Sequence, residues 1–138
     1  GVAANVTRVK GALGYVEYAY VKKNNMTFLQ LQNADGKYVS PDDATFAAAA
    51  ASADWFSVPG MGISMVNAKG ANSWPVSTAS FILMYADPAD KAQSAEVLKF
   101  FDWAFKNGKQ MASELDYVPL PDALTAQIRQ KVWSQIKH

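Results

Sequence analysis

The sequence predicts a mixed α/β fold, and two observations support this. Runs rich in aromatic and β-branched residues, which are typical of strands, alternate with runs in which apolar residues recur every three or four positions, which are typical of helices. The length of 138 residues and the 50% hydrophobic content fit a folded chain of about one ordinary domain.

Composition argues against several classes of function. The net charge is +1, from 13 Lys and Arg against 12 Asp and Glu, so no basic field is available to hold nucleic acid. The chain has no Cys and a single His, His138, which leaves little for thiolate or imidazole chemistry. No run of about eighteen apolar residues is present, so the sequence predicts no membrane span.

A first helix is predicted where Val2, Val6 and Val9 share one face. Gly11 supplies a left-handed stop soon after them. Only Gly1 precedes the pattern, so the helix lacks the Ser, Thr, Asp or Asn that usually caps a first turn. We therefore expect a chain that continues upstream, where the capping residues of this helix would lie.

Two extended regions are predicted next. Ala12–Val21 combines aromatic and branched side chains, which favours a strand in a buried sheet. Farther along, Asp35-Gly36 is a dipeptide that tolerates positive φ in a tight turn. We therefore expect Met26–Gln32 to fold back on Lys37–Val39 as a short hairpin.

A second helix is predicted from its opening residues. Ser40 is the expected N-cap, Pro41 stands in the first turn, and Asp42 and Asp43 lie near the positive end of the helix dipole. The helix should continue through Ala47–Ala51. Because alanine side chains have little area to bury, we expect this helix to lie thinly on the surface.

A loop-rich stretch and a strand are predicted in the middle of the chain. Gly and Pro residues surround the short apolar piece Ile63–Val66 and favour loops there. Val76–Tyr85 is long and apolar enough for a central strand that is buried on both faces. Asp87-Pro88 should end this strand.

The last third of the chain predicts three helices. A long helix covers Lys91–Asn107 and ends at Gly108, and a short one covers Lys109–Leu115. Tyr117–Pro121 contains two prolines, which forbid a helix there. Asp122 is the expected cap of the final helix. The apolar residues of that helix recur every four positions: Leu124, Ile128, Val132 and Ile136.

Three polar pairs each have two interpretations. Asp42 and Asp43 are adjacent acids, but acids at a helix start more often complement the dipole than catalyse. Asp87 and Asp90 flank a turn, and too few further acids accompany them for a typical calcium loop. Ser77-Thr78 could offer hydroxyls to an oxyanion, although such residues more often simply fit a sheet.

The large aromatic residues are predicted to form core. Trp103 shares its helix face with three phenylalanines, and the interleaved basic residues of a nucleic-acid groove are missing. Trp55 and Trp74 lie near Pro and Gly loops and could line a cleft, with burial in the core favoured. Gly60-Met61-Gly62 lacks the third glycine and the Lys-Ser/Thr pair of a phosphate-binding loop.

Several stretches together resemble a known family. Gly11–Tyr20 resembles the "GAIGYVEYAY" strand of the bacterial periplasmic phosphate-binding proteins, which are the substrate-binding components of phosphate-specific ABC transporters. Trp74–Leu83 is similar to that family's "WPITSTTFIL" strand. Glu96–Ala104 and then Leu115–Pro121 resemble its C-terminal helix and turn almost residue for residue. The order and spacing agree over essentially the whole chain.

The resemblance implies a two-lobed type II periplasmic binding protein fold, of which this chain is the C-terminal portion. Residues 1–25 would end the second lobe, and residues 26–75 would form a crossover hairpin, helix and loops. Residues 76–138 would complete the first lobe. The implied location is the periplasm.

The resemblance also implies what this chain lacks. The family holds phosphate with residues that precede the matched region, including a Ser-Gly-Thr-Ser segment that does not occur here. We therefore expect no phosphate-binding residue in this chain, and no catalytic residue, metal ligand or cofactor. The implied partners are inorganic phosphate in the complete protein, the missing N-terminal portion and an ABC permease at the inner membrane; nucleic acid is not one.

Two other functions stay open from the sequence. A secreted phosphate-binding relative could act as a scavenger or adhesin without a permease, because permease-docking surfaces carry no motif that can be recognised here. A phosphatase-like hydrolase on the same scaffold is a weaker alternative, because the chain has no Cys and its one His is terminal.

Overall fold

Six α-helices and one short hairpin form the regular structure of the computed structural model, which describes residues 1–138. The strands β1 and β2 are Leu31–Gln32 and Tyr38–Val39. The helices are α1 (Val2–Arg8), α2 (Tyr18–Lys23), α3 (Asp43–Ser52), α4 (Lys91–Asn107), α5 (Lys109–Glu114) and α6 (Asp122–Lys131), with 3₁₀ turns at Pro59–Met61 and Trp133–Gln135. The regular structure is therefore mostly helix, with little sheet.

The helices predicted from apolar periodicity are confirmed, with small changes at their ends. α1 begins at Val2 with no side-chain cap, and Gly11 beyond it has a φ of 80°. α4 covers the predicted range, and Asp90 caps it by accepting a 2.9 Å hydrogen bond from the Gln93 N–H. α6 ends at Lys131, before the last two residues of its apolar pattern. No helix combines the length and apolar character needed to cross a membrane.

Two predicted N-caps are wrong. The cap of α3 is Asp42, not Ser40: its carboxylate accepts from the Thr45 N–H at 2.8 Å, and the Thr45 hydroxyl accepts from the Asp42 N–H at 3.1 Å. This reciprocal pair satisfies two backbone donors at once, which a lone serine cap does not. α6 is preceded by Pro121 at its cap position, so Asp122 lies inside the first turn.

The predicted surface position of α3 is also wrong. Ala49 is 0% exposed, and Ala50 beside it is buried. Both pack in a core with Trp55, Met65 and Leu124, so the core lies where α3, the following loop and α6 meet. Alanine suits this position because its small side chain lets a bulky indole approach the helix closely.

The predicted hairpin is confirmed in a shorter form. β1 and β2 are antiparallel, with Leu31 opposite Val39 and Gln32 opposite Tyr38. Gly36 has a φ of 73°, the left-handed conformation that its turn requires and that glycine adopts without strain. Only two residues on each side join the ladder, whereas the prediction began the first strand at Met26.

The two long strands predicted from apolar runs do not form. Residues 12–17 are irregular and lead into α2, and Val76–Tyr85 forms no backbone hydrogen bond with any other backbone group. Most of their large apolar side chains are exposed, among them Tyr15 at 92% and Leu83 at 93%. The physical reason is that a strand needs a neighbouring strand to satisfy its N–H and C=O groups. In this chain, neither segment has such a neighbour.

Candidate functional site

The acidic residues singled out in the sequence have structural roles. Asp42 is the cap of α3 and Asp90 is the cap of α4. Asp43 lies in the first turn of α3, where its charge complements the dipole. Asp87 forms an ion pair with Lys137, with 2.6 Å between the oxygen and the nitrogen. These acids are therefore not gathered into one site.

Ser77, whose hydroxyl could have served an oxyanion, and the two tryptophans that could have lined a cleft are all buried. The Ser77 hydroxyl donates to the Trp74 carbonyl at 3.1 Å, while Thr78 is exposed. The Trp55 indole N–H donates to the Ala50 carbonyl at 2.7 Å, which satisfies its one donor inside the core. The favoured interpretation of both tryptophans as core residues is confirmed.

The aromatic face of α4 is not the core face that the sequence predicted. Trp103 is 49% exposed, and Phe100 beside it is exposed as well. The two rings stack, with their centres 6.5 Å apart. The chain covers a different side of α4, where Ser94 and Leu98 are buried. A separate glycine pair, in Gly60-Met61-Gly62, lies at a 3₁₀ turn and does not form a phosphate-binding loop.

An open groove of about 680 Å³ lies between α4 and the end of the chain, and we call it the α4 groove. Asp102 lines it and accepts from Lys106 at 2.5 Å and from Arg129 at 2.7 Å. His138, the one histidine of the chain, also lines it. The remaining lining residues are Ala95, Leu98, Lys99, Trp103, Asn107, Trp133 and Ser134.

The charges of the α4 groove largely satisfy each other. The hydrogen bond from Lys106 and then that from Arg129 lower the pKa of Asp102 below its ordinary value, because both favour the carboxylate. Lys99 is paired with Glu96 at 2.7 Å. An anion entering the groove would have to compete with these carboxylates for the same cations, so the groove is not built as an anion site.

Aromatic rings hold Arg129 in place. The rings of Phe105 and Trp133 stack with their centres 5.5 Å apart, and the guanidinium carbon lies 5.6 Å and 5.8 Å from the two centres. Such a cation–π arrangement stabilises α6 against α4. The groove is therefore a helix-packing seam as much as a cavity.

Sequence reasoning missed Asn33, a side chain that is only 5% exposed and forms five hydrogen bonds. Its amide nitrogen donates to the carbonyls of Gly70 at 3.1 Å, Ala71 at 2.9 Å and Ser73 at 3.3 Å. Its amide oxygen accepts from the Asp35 and Lys37 N–H groups at 3.1 Å and 3.0 Å. This Asn33 clamp ties the hairpin to a loop about forty residues away, and the available signal was an Asn just before the Asp-Gly turn.

A second contact that the sequence did not suggest joins α2 to the loop after α5. Lys22 pairs with Asp116 at 2.5 Å, and this hydrogen bond raises the pKa of Lys22. The nearby Glu17 carboxylate raises the pKa of Tyr117, because a phenolate beside a negative charge is unfavourable. Glu17 and Tyr117 line a small cavity of about 210 Å³ between the two elements.

No group of three or more His, Cys, Asp or Glu side chains lies close enough together to hold a metal ion. The polar clusters instead cap helices, pair charges and join distant segments. Among the contacts that join segments far apart in sequence are the Asn33 clamp, the Asp87–Lys137 pair and the Lys22–Asp116 pair.

Comparison with known proteins shows similarity to bacterial phosphate-binding proteins along 99% of the chain. One relative, "Phosphate-binding protein PstS" of Pasteurella multocida, is 47% identical over 137 residues. Proteins of the same name are 44% identical in Xylella fastidiosa and 42% identical in Haemophilus influenzae, each over 137 residues. The resemblance stated from the sequence motifs is thereby confirmed. No family model matches the chain.

The match covers only part of each relative. The chain spans 40% of the Pasteurella protein, 38% of the Xylella protein and 41% of the Haemophilus protein. It therefore corresponds to less than half of a phosphate-binding protein, while almost none of the chain lies outside the match. All three relatives are named as binding proteins and not as enzymes.

Proposed function

We propose that this chain is the C-terminal part of a protein that binds inorganic phosphate for uptake by an ABC transporter. The observation that carries the proposal is the 42–47% identity over 99% of the chain to proteins named for phosphate binding. The complete protein would work in the periplasm and deliver phosphate to a permease at the inner membrane. This chain would supply scaffold, and the remainder would supply the ligand contacts.

The proposed arrangement has two lobes that share this chain. Residues 1–25 end the second lobe, residues 26–75 form the crossover, and residues 76–138 complete the first lobe. Supporting this are the two apolar segments without strand partners, residues 12–17 and Val76–Tyr85. In the complete protein, each would join a sheet of one lobe, where neighbouring strands satisfy its backbone.

The surface area of the chain supports a large missing partner. The accessible surface is 9590 Å² for 15.0 kDa, whereas a compact monomer of this mass exposes about 7,000 Å². The excess of about 2,500 Å² is several times the area that one partner buries in an ordinary protein complex. The exposed apolar side chains Leu13, Ile82, Leu83, Phe100 and Trp103 are part of that excess.

The proposal places no phosphate ligand in this chain. Phosphate sites in proteins use backbone N–H groups at helix starts, hydroxyls and an arginine. Here the caps Asp42 and Asp90 put carboxylates at the starts of α3 and α4, where they would repel an anion. Arg129 is already held by Asp102. These contacts support the proposal that the ligand residues lie in the remainder.

Calorimetric titration with phosphate tests the proposal in two arms. The complete protein, formed by this chain together with its N-terminal remainder, is expected to bind phosphate, while the 138-residue chain alone is expected to give no heat of binding. Absence of phosphate binding by the complete protein would overturn the function. Micromolar binding by the chain alone would overturn the assignment of all ligands to the remainder.

A further inference from the structure

We propose that Lys22 and Asp116 form a latch between the two lobes, beside the point where the chain crosses from one to the other. This inference rests on the lobe assignment of the proposed function. Lys22 lies in α2, in the last residues of the second lobe, and Asp116 lies in the loop that follows α5 in the first lobe. A contact at that position restricts how far the lobes swing relative to each other.

The geometry of the pair suits a latch. The Lys22 nitrogen is 2.5 Å from a carboxylate oxygen of Asp116, whose side chain is only 13% exposed. A carboxylate with that little access to water depends on its cation, so loss of the lysine leaves a poorly solvated charge. This distinguishes the pair from the Asp87–Lys137 pair, in which both side chains are mostly exposed.

The loop that carries Asp116 is held firmly. The Asp116 N–H donates to the Ser113 carbonyl at 3.0 Å, and the Tyr117 N–H donates to the Ala112 carbonyl at 2.9 Å. Asp116 itself has a φ of 63°, which aspartate and asparagine tolerate better than most residues. The carboxylate is therefore presented from a fixed turn on α5.

The helix that carries Lys22 is also anchored to the crossover. The Tyr18 ring packs edge-on against Phe46 of α3, with the ring centres 5.5 Å apart, and Phe46 packs in the same way against Trp74 at 6.3 Å. The Lys22 nitrogen also lies 5.8 Å from the centre of the Tyr18 ring. The latch thus connects a first-lobe turn to the crossover through a continuous row of packed side chains.

The consequence for binding follows from preorganisation. Without the latch the phosphate-free protein samples a wider range of lobe angles, so closing on the ligand loses more conformational freedom. Breaking the latch should therefore weaken phosphate affinity without touching a ligand contact. The expected effect is about two- to fivefold, the range typical of ion pairs that are partly exposed.

The test uses Lys22→Met, Asp116→Asn and the double variant in the complete protein. Asparagine keeps the turn conformation of residue 116 while removing the charge. Calorimetry should give affinities about two- to fivefold weaker for each variant, with the double variant no weaker than the singles. Small-angle scattering of the phosphate-free variants should show a larger radius of gyration than that of the wild type. Asp87→Asn is the matched control, because it breaks an ion pair that lies within residues 76–138, and it should match the wild type in both measurements.

The outcomes separate the latch from the proposed function. If the wild type binds phosphate and the latch variants match it and Asp87→Asn in both measurements, the latch is overturned and the function stands. If the wild type does not bind phosphate, the function is overturned and scattering alone decides the latch, since an unchanged radius of gyration contradicts it. Independent, additive losses in the two single variants also contradict it, because paired residues must couple.

Discussion

The stretch from Leu31 to Pro75 and the stretch from Val76 to Tyr85 are neighbours in sequence, and both are rich in apolar residues. The first buries many of them: Trp55, Trp74, Ala49 and Ala50 lie in the core, and the Asn33 clamp closes the hairpin onto a distant loop. The second exposes them, with Leu83 almost fully in water. The difference shows that apolar content alone does not produce a core. Apolar side chains are buried only where other residues are available to pack against them, and these 138 residues offer few such neighbours to Val76–Tyr85.

The largest expected effect is that of Trp55→Ala in the isolated chain. Truncation removes the centre of the core and leaves a cavity against α3, so the free energy of unfolding should fall by about 3–5 kcal/mol. Trp103→Ala is the matched control, since that indole is half exposed, and its cost should stay within about 0.5 kcal/mol. Urea denaturation measures both, and equal losses for the two variants would contradict the division into a packed and an unpacked region.

Leu83→Ala should change the stability of the isolated chain and of the complete protein by different amounts. In the isolated chain Leu83 contacts little, so the free energy of unfolding should change by less than about 0.5 kcal/mol. In the complete protein, where the segment is proposed to be a buried strand, the same change should cost about 2–5 kcal/mol. Denaturation of both forms with and without the substitution measures this, and a neutral effect in the complete protein would contradict burial of the segment.

Asn33→Ala tests what closes the packed region. The substitution leaves three carbonyls and two N–H groups without their partner, and the free energy of unfolding should fall by about 1–3 kcal/mol. Asn72→Ala is the control, because Asn72 is exposed in the same loop and is not part of the clamp. Hydrogen exchange should speed up at the Lys37 amide in the Asn33 variant only; unchanged protection there would argue against the clamp.

The smallest expected effect concerns Asp102 in the α4 groove and depends on pH. The folded-state pKa of Asp102 lies below the ordinary value of 3.8, so its pairs with Lys106 and Arg129 stabilise the fold at pH values above that and lose this effect as pH falls through the folded pKa. The melting temperature of wild type should therefore exceed that of Asp102→Asn by a small, constant amount near neutral pH. The gap should close in strong acid, and a gap that grows on acidification would contradict the lowered pKa.

The sequence predicted correctly those elements whose determining residues lie close together along the chain. Helix α4 follows from the periodicity of its own seventeen residues and from Gly108 directly after them, and the hairpin turn follows from Asp35-Gly36. The run Val76–Tyr85 has an equally clear pattern, but a strand is completed by residues elsewhere, and none in this chain pairs with it. The local pattern thus shows where apolar side chains recur, but not which distant residues cover them.

The caps and contacts show the same limit at smaller scale. Ser40 and Asp42 are both good N-caps, and only the reciprocal bond with Thr45 selects the second. The Lys22–Asp116 pair joins positions ninety-four residues apart, and no spacing rule connects them. Asn33 carried a local turn signal, but its three acceptors lie in a loop that is distant in sequence.

The placement of the tryptophans also allows tryptophan fluorescence to report on the covering of α4. Trp55 and Trp74 are shielded from water, while Trp103 on α4 is half exposed and sits beside Phe100 on the uncovered face. A solvated indole fluoresces at longer wavelength than a shielded one and is quenched by iodide. Covering of Trp103 by the N-terminal remainder would therefore register as a blue shift and a loss of iodide quenching, with no label attached.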